Sequence, residues 1–93
     1  MEKSPGKKNI AVFISGKGSN LRSLIKHSKK KNSLFKIDLV ISNNLNVKGL
    51  EIANKSKIKN YYIKYLNVRN FENRVLKLLD KNKIDLICLA GFM

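Results

Sequence analysis

Apolar residues along this chain arrive in short continuous runs that alternate with helical stripes. Asn9 to Ile14 is one such run, with the length and composition of a strand buried on both faces. From Asn20 to about Lys30, Leu21, Leu24 and Ile25 form a single stripe while Arg22, Lys26 and Lys29 fall elsewhere, which predicts an amphipathic helix. Ile37 to Ser42 repeats the buried-strand pattern and closes on Asn43-Asn44, a turn pair. A second helix is predicted from Val47 to about Ser56, with Val47, Leu50 and Ala53 facing inward, and a third, aromatic-rich strand from Tyr61 to Leu66. Phe71, Val75, Leu78 and Leu79 stand at i, i+4, i+7 and i+8, the clearest helical period in the chain. Ile84 to Ala90 reads as a fourth buried strand, followed by Gly91-Phe92-Met93.

Strand and helix therefore alternate four times, less a last helix. That order predicts an α/β fold with a doubly wound, mostly parallel sheet, right-handed crossovers and helices on both faces. The length of 93 residues bounds the chain to one small domain. A central-looking strand and an apolar tripeptide at the end point to the N-terminal part of a longer α/β protein.

Composition changes this picture only at the edges. Met1 to Lys8 carry Glu2, Ser4, Pro5, Gly6 and three lysines, and read as a disordered basic tail, with the folded portion expected over 9–93. No apolar segment of signal length follows the tail, and no run approaches a membrane span. The lone Cys88 excludes an intramolecular disulfide framework and suits a reducing cytoplasm. It alternates with Ile87 and Leu89 in an apolar strand and reads as a buried core residue.

The net charge of +14 invites a nucleic-acid reading. Seventeen of the twenty basic residues are lysines, however, spread over the tail, the loops and the predicted helix ends, and only Lys29-Lys30-Lys31 forms a run. Sequence-reading proteins cluster arginine on one face, often with aromatics between. Dispersed lysine reads as solvated surface with a general attraction for anions.

The chemistry concentrates in Ile14-Ser15-Gly16-Lys17-Gly18-Ser19-Asn20, where the first strand runs through a glycine-interrupted turn into the first helix. Helix N-termini present unpaired N–H groups and partial positive charge, glycines allow an anion close to the backbone, and Ser19 and Asn20 add side-chain donors. The segment reads as a phosphate cradle, or else as a plain strand-to-helix turn with Ser19 or Asn20 as N-cap. A dinucleotide fingerprint is disfavoured. It needs a third glycine where Leu21 stands, and an acid at the end of the second strand, which instead reads Ser42-Asn43-Asn44. No Gly-Lys-Ser/Thr closes the loop as a P-loop requires. His27, the single histidine, lies about two turns into the first helix and reads as solvated. Asp38, Glu51, Glu72, Asp80 and Asp85 are too dispersed for a metal site or a carboxylate pair. Arg69 and Arg74 precede or lie on the third helix.

The run Ile10-Ala11-Val12-Phe13-Ile14-Ser15-Gly16-Lys17-Gly18-Ser19-Asn20-Leu21 resembles the opening of the phosphoribosylglycinamide formyltransferases. Val40-Ile41-Ser42-Asn43, Gly49-Leu50-Glu51-Ile52-Ala53 and Asp85-Leu86-Ile87-Cys88-Leu89-Ala90-Gly91-Phe92-Met93 agree in order and spacing. The resemblance implies a Rossmann-like formyltransferase fold with strands in the order 3-2-1-4. It implies glycinamide ribonucleotide and 10-formyltetrahydrofolate as substrates in purine (IMP) synthesis, with no metal. It places the 5′-phosphate at Gly18, Ser19 and Asn20, the border of both substrates at Leu89, Gly91 and Met93, and a folate-binding arginine at Arg69, although its spacing to Phe71 is one residue short of the family pattern. The family's catalytic asparagine, its histidine in an Asn-x-His arrangement and its aspartate fall after the position of Met93, so no catalytic residue is assigned in 1–93. A small basic phosphate- or RNA-binding α/β module without catalysis is the alternative.

Overall fold

The computed structural model describes residues 8–15, 19–45 and 47–90. The alternating pattern yields β1 (Lys8–Ile14), α1 (Ser19–Ser28), β2 (Phe35–Ser42), α2 (Lys48–Lys55), β3 (Lys59–Tyr62), α3 (Val68–Lys81) and β4 (Leu86–Leu89). The four strands form one sheet in the order β3-β2-β1-β4, and every neighbouring pair is parallel. The central strands β1 and β2 carry the longest apolar runs because both of their faces are covered.

Two apolar layers sandwich the sheet. On one face Val12, Ile14, Ile37 and Val40 pack with Leu21 and Ile25 of α1 and Ala53 of α2. On the other, Ala11, Phe13, Leu39 and Ile41 meet Val75 of α3, with Phe71, Leu78 and Leu79 packed around them. The stripe predicted on the third helix is thus the stripe that faces the sheet.

Ile37 and Leu39 are two residues apart, yet they lie on opposite faces. The β1–β2 register pairs Ile10 with Ile37 and then Ala11 with Leu39, so Asp38 is an extra residue in β2. A bulge of this kind moves everything after it to the other side of the pleat.

Both α2 and α3 end in the same way. Beyond the C-cap Ser56, Lys57 stands at φ 60, with Lys57 N–H donating to Asn54 O (3.0 Å) and Ile58 N–H to Ala53 O (2.9 Å). Beyond the C-cap Asn82, Lys83 stands at φ 52, with Lys83 N–H donating to Asp80 O (3.1 Å) and Ile84 N–H to Leu79 O (3.0 Å). These are Schellman closures with lysine where glycine is usual. Lys57→Gly and Lys83→Gly are each expected to raise stability by roughly 0.5–1 kcal/mol, because glycine carries no Cβ penalty in the left-handed region. Chemical denaturation of the single variants and the double variant checks this, and a loss of stability in both would contradict it.

Several expectations shift. β3 starts at Lys59 and ends at Tyr62, earlier than the apolar run, because its ladder is set by Leu39 to Ser42 of β2. Ile63 is buried and donates its N–H to Ser42 O (2.8 Å), after which Tyr65 and Leu66 are exposed. β4 is shorter than Ile84 to Ala90 and is not buried on both faces: Leu86, Ile87 and Leu89 are 54%, 51% and 65% exposed at the sheet edge. Cys88 is half-buried against the α1–α2 layer rather than deep in the core. Lys8 belongs to β1, where it pairs with Phe35, and so is part of the sheet rather than of the expected tail. The rest of the tail lies outside the described residues.

Candidate functional site

In a parallel sheet all strands end on one side, and here those ends are Ile14 of β1, Ser42 of β2, Tyr62 of β3 and Leu89 of β4. The chain leaves β1 through α1 on one face, whereas it reaches β4 from α3 on the other. The gap between the C-terminal ends of β1 and β4 is therefore the switch point where open α/β sheets bind ligands. Ala90 N–H donates to Phe13 O (2.9 Å), which holds the two ends together just below that gap.

Helix α1 includes Ser19 and Asn20, so both occupy its first turn and neither is the N-cap in this structure. Asn20 is exposed. Gly18 lies outside the described residues, as do Gly16, Lys17 and the side chain of Ser19. The first turn of α1 thus sits immediately after the glycine segment at the mouth of β1, where free N–H groups and the helix dipole favour an anion.

Ser15, the residue after β1, is braced from β2 by residues that the sequence flagged only as a turn. Asn44 Nδ2 donates to Ser15 O (2.7 Å), fixing the peptide through which the chain leaves β1. Asn44 is itself held by the fully buried Ser42, whose Oγ accepts from Asn44 N–H (2.9 Å) and donates to Asn44 O (2.8 Å). The Asn43-Asn44 pair was the available signal. Nothing in it discloses a partner 29 positions earlier in the chain.

On the α3 side of the same mouth lies an open groove of about 790 Å³. Phe13 of β1, Ile87 and Leu89 of β4, and Val68, Phe71 and Val75 of α3 give it apolar walls. Tyr65, which also lines it, packs against Phe71 with ring centroids 5.6 Å apart. Such walls suit a flat, partly aromatic molecule, whose rings bury apolar area without needing many polar partners. Of the three residues that the resemblance places at the border of both substrates, Leu89 lines this groove, while Gly91 and Met93 lie outside the described residues.

Arg69 is an exposed residue of the first turn of α3, after the N-cap Asn67, whose Oδ1 accepts from Asn70 N–H (2.8 Å). It follows directly on Val68, a wall of the groove, but does not itself line it. His27 is exposed near the opposite end of α1 and stacks on Phe35 at 6.3 Å. Among the described residues no group of three or more His, Cys, Asp or Glu side chains could hold a metal ion, and no helix is long and apolar enough to cross a membrane. The mouth can bind: an anion at the α1 turn and an apolar ring system beside α3.

Comparison with known proteins agrees with the fold. The model of the formyl transferase family matches residues 8–93. The chain is 42% identical over 90 residues to the human trifunctional purine biosynthetic protein adenosine-3, covering 94% of this chain and 9% of that protein. It is 30% identical over 89 residues to phosphoribosylglycinamide formyltransferase of Bacillus subtilis, covering 92% of this chain and 46% of the relative. The crystal structure of phosphoribosylglycinamide formyltransferase from Brucella melitensis superposes with a TM-score of 0.89 at 32% identity, over 94% of this chain and 47% of that one. The chain thus spans about half the length of these bacterial relatives and less than a tenth of the human one. With its strand order, its glycine loop at the mouth of β1 and a match over nearly all of its length, the chain belongs to the formyl transferase family.

Proposed function

We propose that residues 9–93 are the N-terminal portion of a phosphoribosylglycinamide formyltransferase domain, acting in the cytoplasm in the synthesis of purines. The protein that contains it transfers a formyl group from 10-formyltetrahydrofolate to the amine of glycinamide ribonucleotide. The observation that carries this reading is the first turn of α1, set at the end of β1 beside β4. It offers backbone and side-chain donors to a phosphate in a chain whose relatives include phosphoribosylglycinamide formyltransferases. In this reading Gly18, Ser19 and Asn20 hold the 5′-phosphate. Leu89, Gly91 and Met93 form the edge shared by the two substrates, and the groove against α3 takes the folate ring, with Arg69 at its rim.

Within such a domain the chain's work is binding and orientation. Anchoring the phosphate at one end fixes where the glycinamide amine lies relative to the formyl carbon, and positioning of that kind lowers the entropic part of the barrier. Attack of the amine forms a tetrahedral oxyanion that needs a stabilising donor and a proton acceptor. The Asn-x-His pair and the aspartate of the family would supply these from beyond the Met93 position.

The test is formyl transfer from 10-formyltetrahydrofolate to glycinamide ribonucleotide, followed spectrophotometrically. A protein translated from the same reading frame onward through an Asn-x-His motif is expected to turn over. Residues 1–93 alone are expected to give no transfer above background. Absence of ribonucleotide-dependent turnover in the longer protein would overturn the proposal.

A further inference from the structure

Lysines that are dispersed along the sequence converge at one end of the fold. In a parallel sheet the strand starts share a side with the C-terminal ends of the crossover helices. Lys29, Lys30 and Lys31 follow α1, Lys55 and Lys57 close α2, and Lys81 and Lys83 close α3. Lys8, Lys36 and Lys59 occupy the first or second position of β1, β2 and β3. All ten are exposed. Hydrogen bonds tie the groups together: Lys59 Nζ donates to Asn82 Oδ1 (2.8 Å), Lys8 N–H to Leu34 O (3.0 Å), and Asn9 Nδ2 to Lys83 O (3.2 Å). Among the described residues the acids at this end are Asp38, Asp80 and Asp85, and Asp85 already accepts from Asn9 N–H (2.9 Å). Lysines in a last helical turn complement the helix dipole. That explanation does not reach Lys8, Lys36 or Lys59, which stand on strands.

We propose that this basic pole binds the phosphate backbone of double-stranded nucleic acid, without reading sequence and at the end of the molecule opposite the substrate mouth. The chemistry selects this partner. Ammonium groups serve as point charges for phosphate, whereas base reading relies on bidentate arginine, and Arg22, Arg69 and Arg74 all lie elsewhere. Single strands are held largely by stacking on aromatic side chains. Among the described residues the aromatics at this pole are His27 and Phe35, which stack on each other. Membrane surfaces require an inserted apolar stripe, and among the described residues the large exposed apolar side chains here are Leu34 and, at the sheet edge, Leu86. Four strands about 4.8 Å apart make the sheet roughly 15 Å wide. That is the rise along the duplex axis of about four phosphates of one strand.

The experiment is fluorescence anisotropy of a labelled 20-base-pair duplex against the full chain, at concentrations where sedimentation shows a monomer, over a series of salt concentrations. Two quadruple variants carry the same net charge and remove four positive charges from different places. One is Lys29→Gln, Lys30→Gln, Lys55→Gln and Lys81→Gln at the pole; the other is Arg22→Gln, Lys48→Gln, Lys64→Gln and Arg74→Gln elsewhere. Circular dichroism verifies that both remain folded. The pole variant is expected to weaken duplex binding by at least about tenfold and to flatten the dependence of log K on log salt by about 0.9 for each contact removed. The other variant is expected to change affinity less than about threefold, as for screened charges outside the contact. Equal losses in the two variants, tighter binding to single-stranded oligouridylate, or binding to anionic phosphatidylserine vesicles in preference to the duplex would each overturn the proposal.

Discussion

Gly18→Val, made in a protein carrying the complete domain, is expected to raise the KM for glycinamide ribonucleotide by about two orders of magnitude. Gly18 itself lies outside the described residues, but α1 begins at the next residue, so position 18 leads straight into the N–H groups of the first helical turn. Valine there would bring a β-branched side chain against the approaching phosphate. Hydrogen bonds to charged groups contribute about 1.5–3 kcal/mol each. Displacing the phosphate from two of them corresponds to a hundredfold change or more. Ser19→Ala removes one side-chain donor and leaves the backbone in place, so its expected cost is about 1–2 kcal/mol, or roughly five- to thirtyfold in KM. The kcat at saturating substrate should fall less than kcat/KM in both variants, because the phosphate is remote from the reacting atoms. Steady-state kinetics with both substrates varied checks this. An unchanged KM for the ribonucleotide in both variants would refute the phosphate assignment.

Residues 1–93 produced alone are expected to self-associate. Among the described residues β4 pairs only with β1, so its outer edge presents unpaired backbone groups there. Its side chains Leu86, Ile87 and Leu89 are more than half exposed, and Ile87 and Leu89 also line the open apolar groove with Leu76. An apolar, uncharged strand edge is a template for pairing with another chain. A four-stranded sheet of this size also buries a small share of its surface. Sedimentation velocity should therefore show a coefficient that rises with concentration, and the thermal transition should be broad. Ile87→Lys places a charge on the edge and is expected to restore a monomer without loss of far-ultraviolet dichroism. A monomeric wild-type chain with a sharp, cooperative calorimetric transition would refute this expectation.

Much of the candidate site was legible because its chemistry is local. The glycine segment, the strand before it and the helix after it are contiguous, and their order alone points to an anion site at a strand mouth. Leu89 came only from the family resemblance, and its place on a groove wall depends on α3 packing beside β4. The brace at Asn44 was not legible, since its partner Ser15 follows a different strand, 29 positions earlier. The groove against α3 was not legible either. It joins Phe13, Phe71 and Ile87, which come from three elements far apart in sequence.

By itself the sequence determined the number and order of elements, the parallel sheet and the inward stripe of α3. Each follows from periodicity within one segment, and periodicity is a short-range property. Strand limits and burial depended on partners. β3 moved to Lys59–Tyr62 because the ladder of β2 set its register, and the apolar β4 was left half exposed because it stands at the edge. The extra residue Asp38, which sends Ile37 and Leu39 to opposite faces, has no local mark, since a bulge is defined only against the neighbouring strand. The left-handed Lys57 and Lys83 carry none of the glycine signal that usually announces such a turn. Lysine placement shows the same division most clearly. Read along the chain, the lysines are scattered; parallel strands return the chain to the same side after every helix, and that repeated return gathers them at one pole.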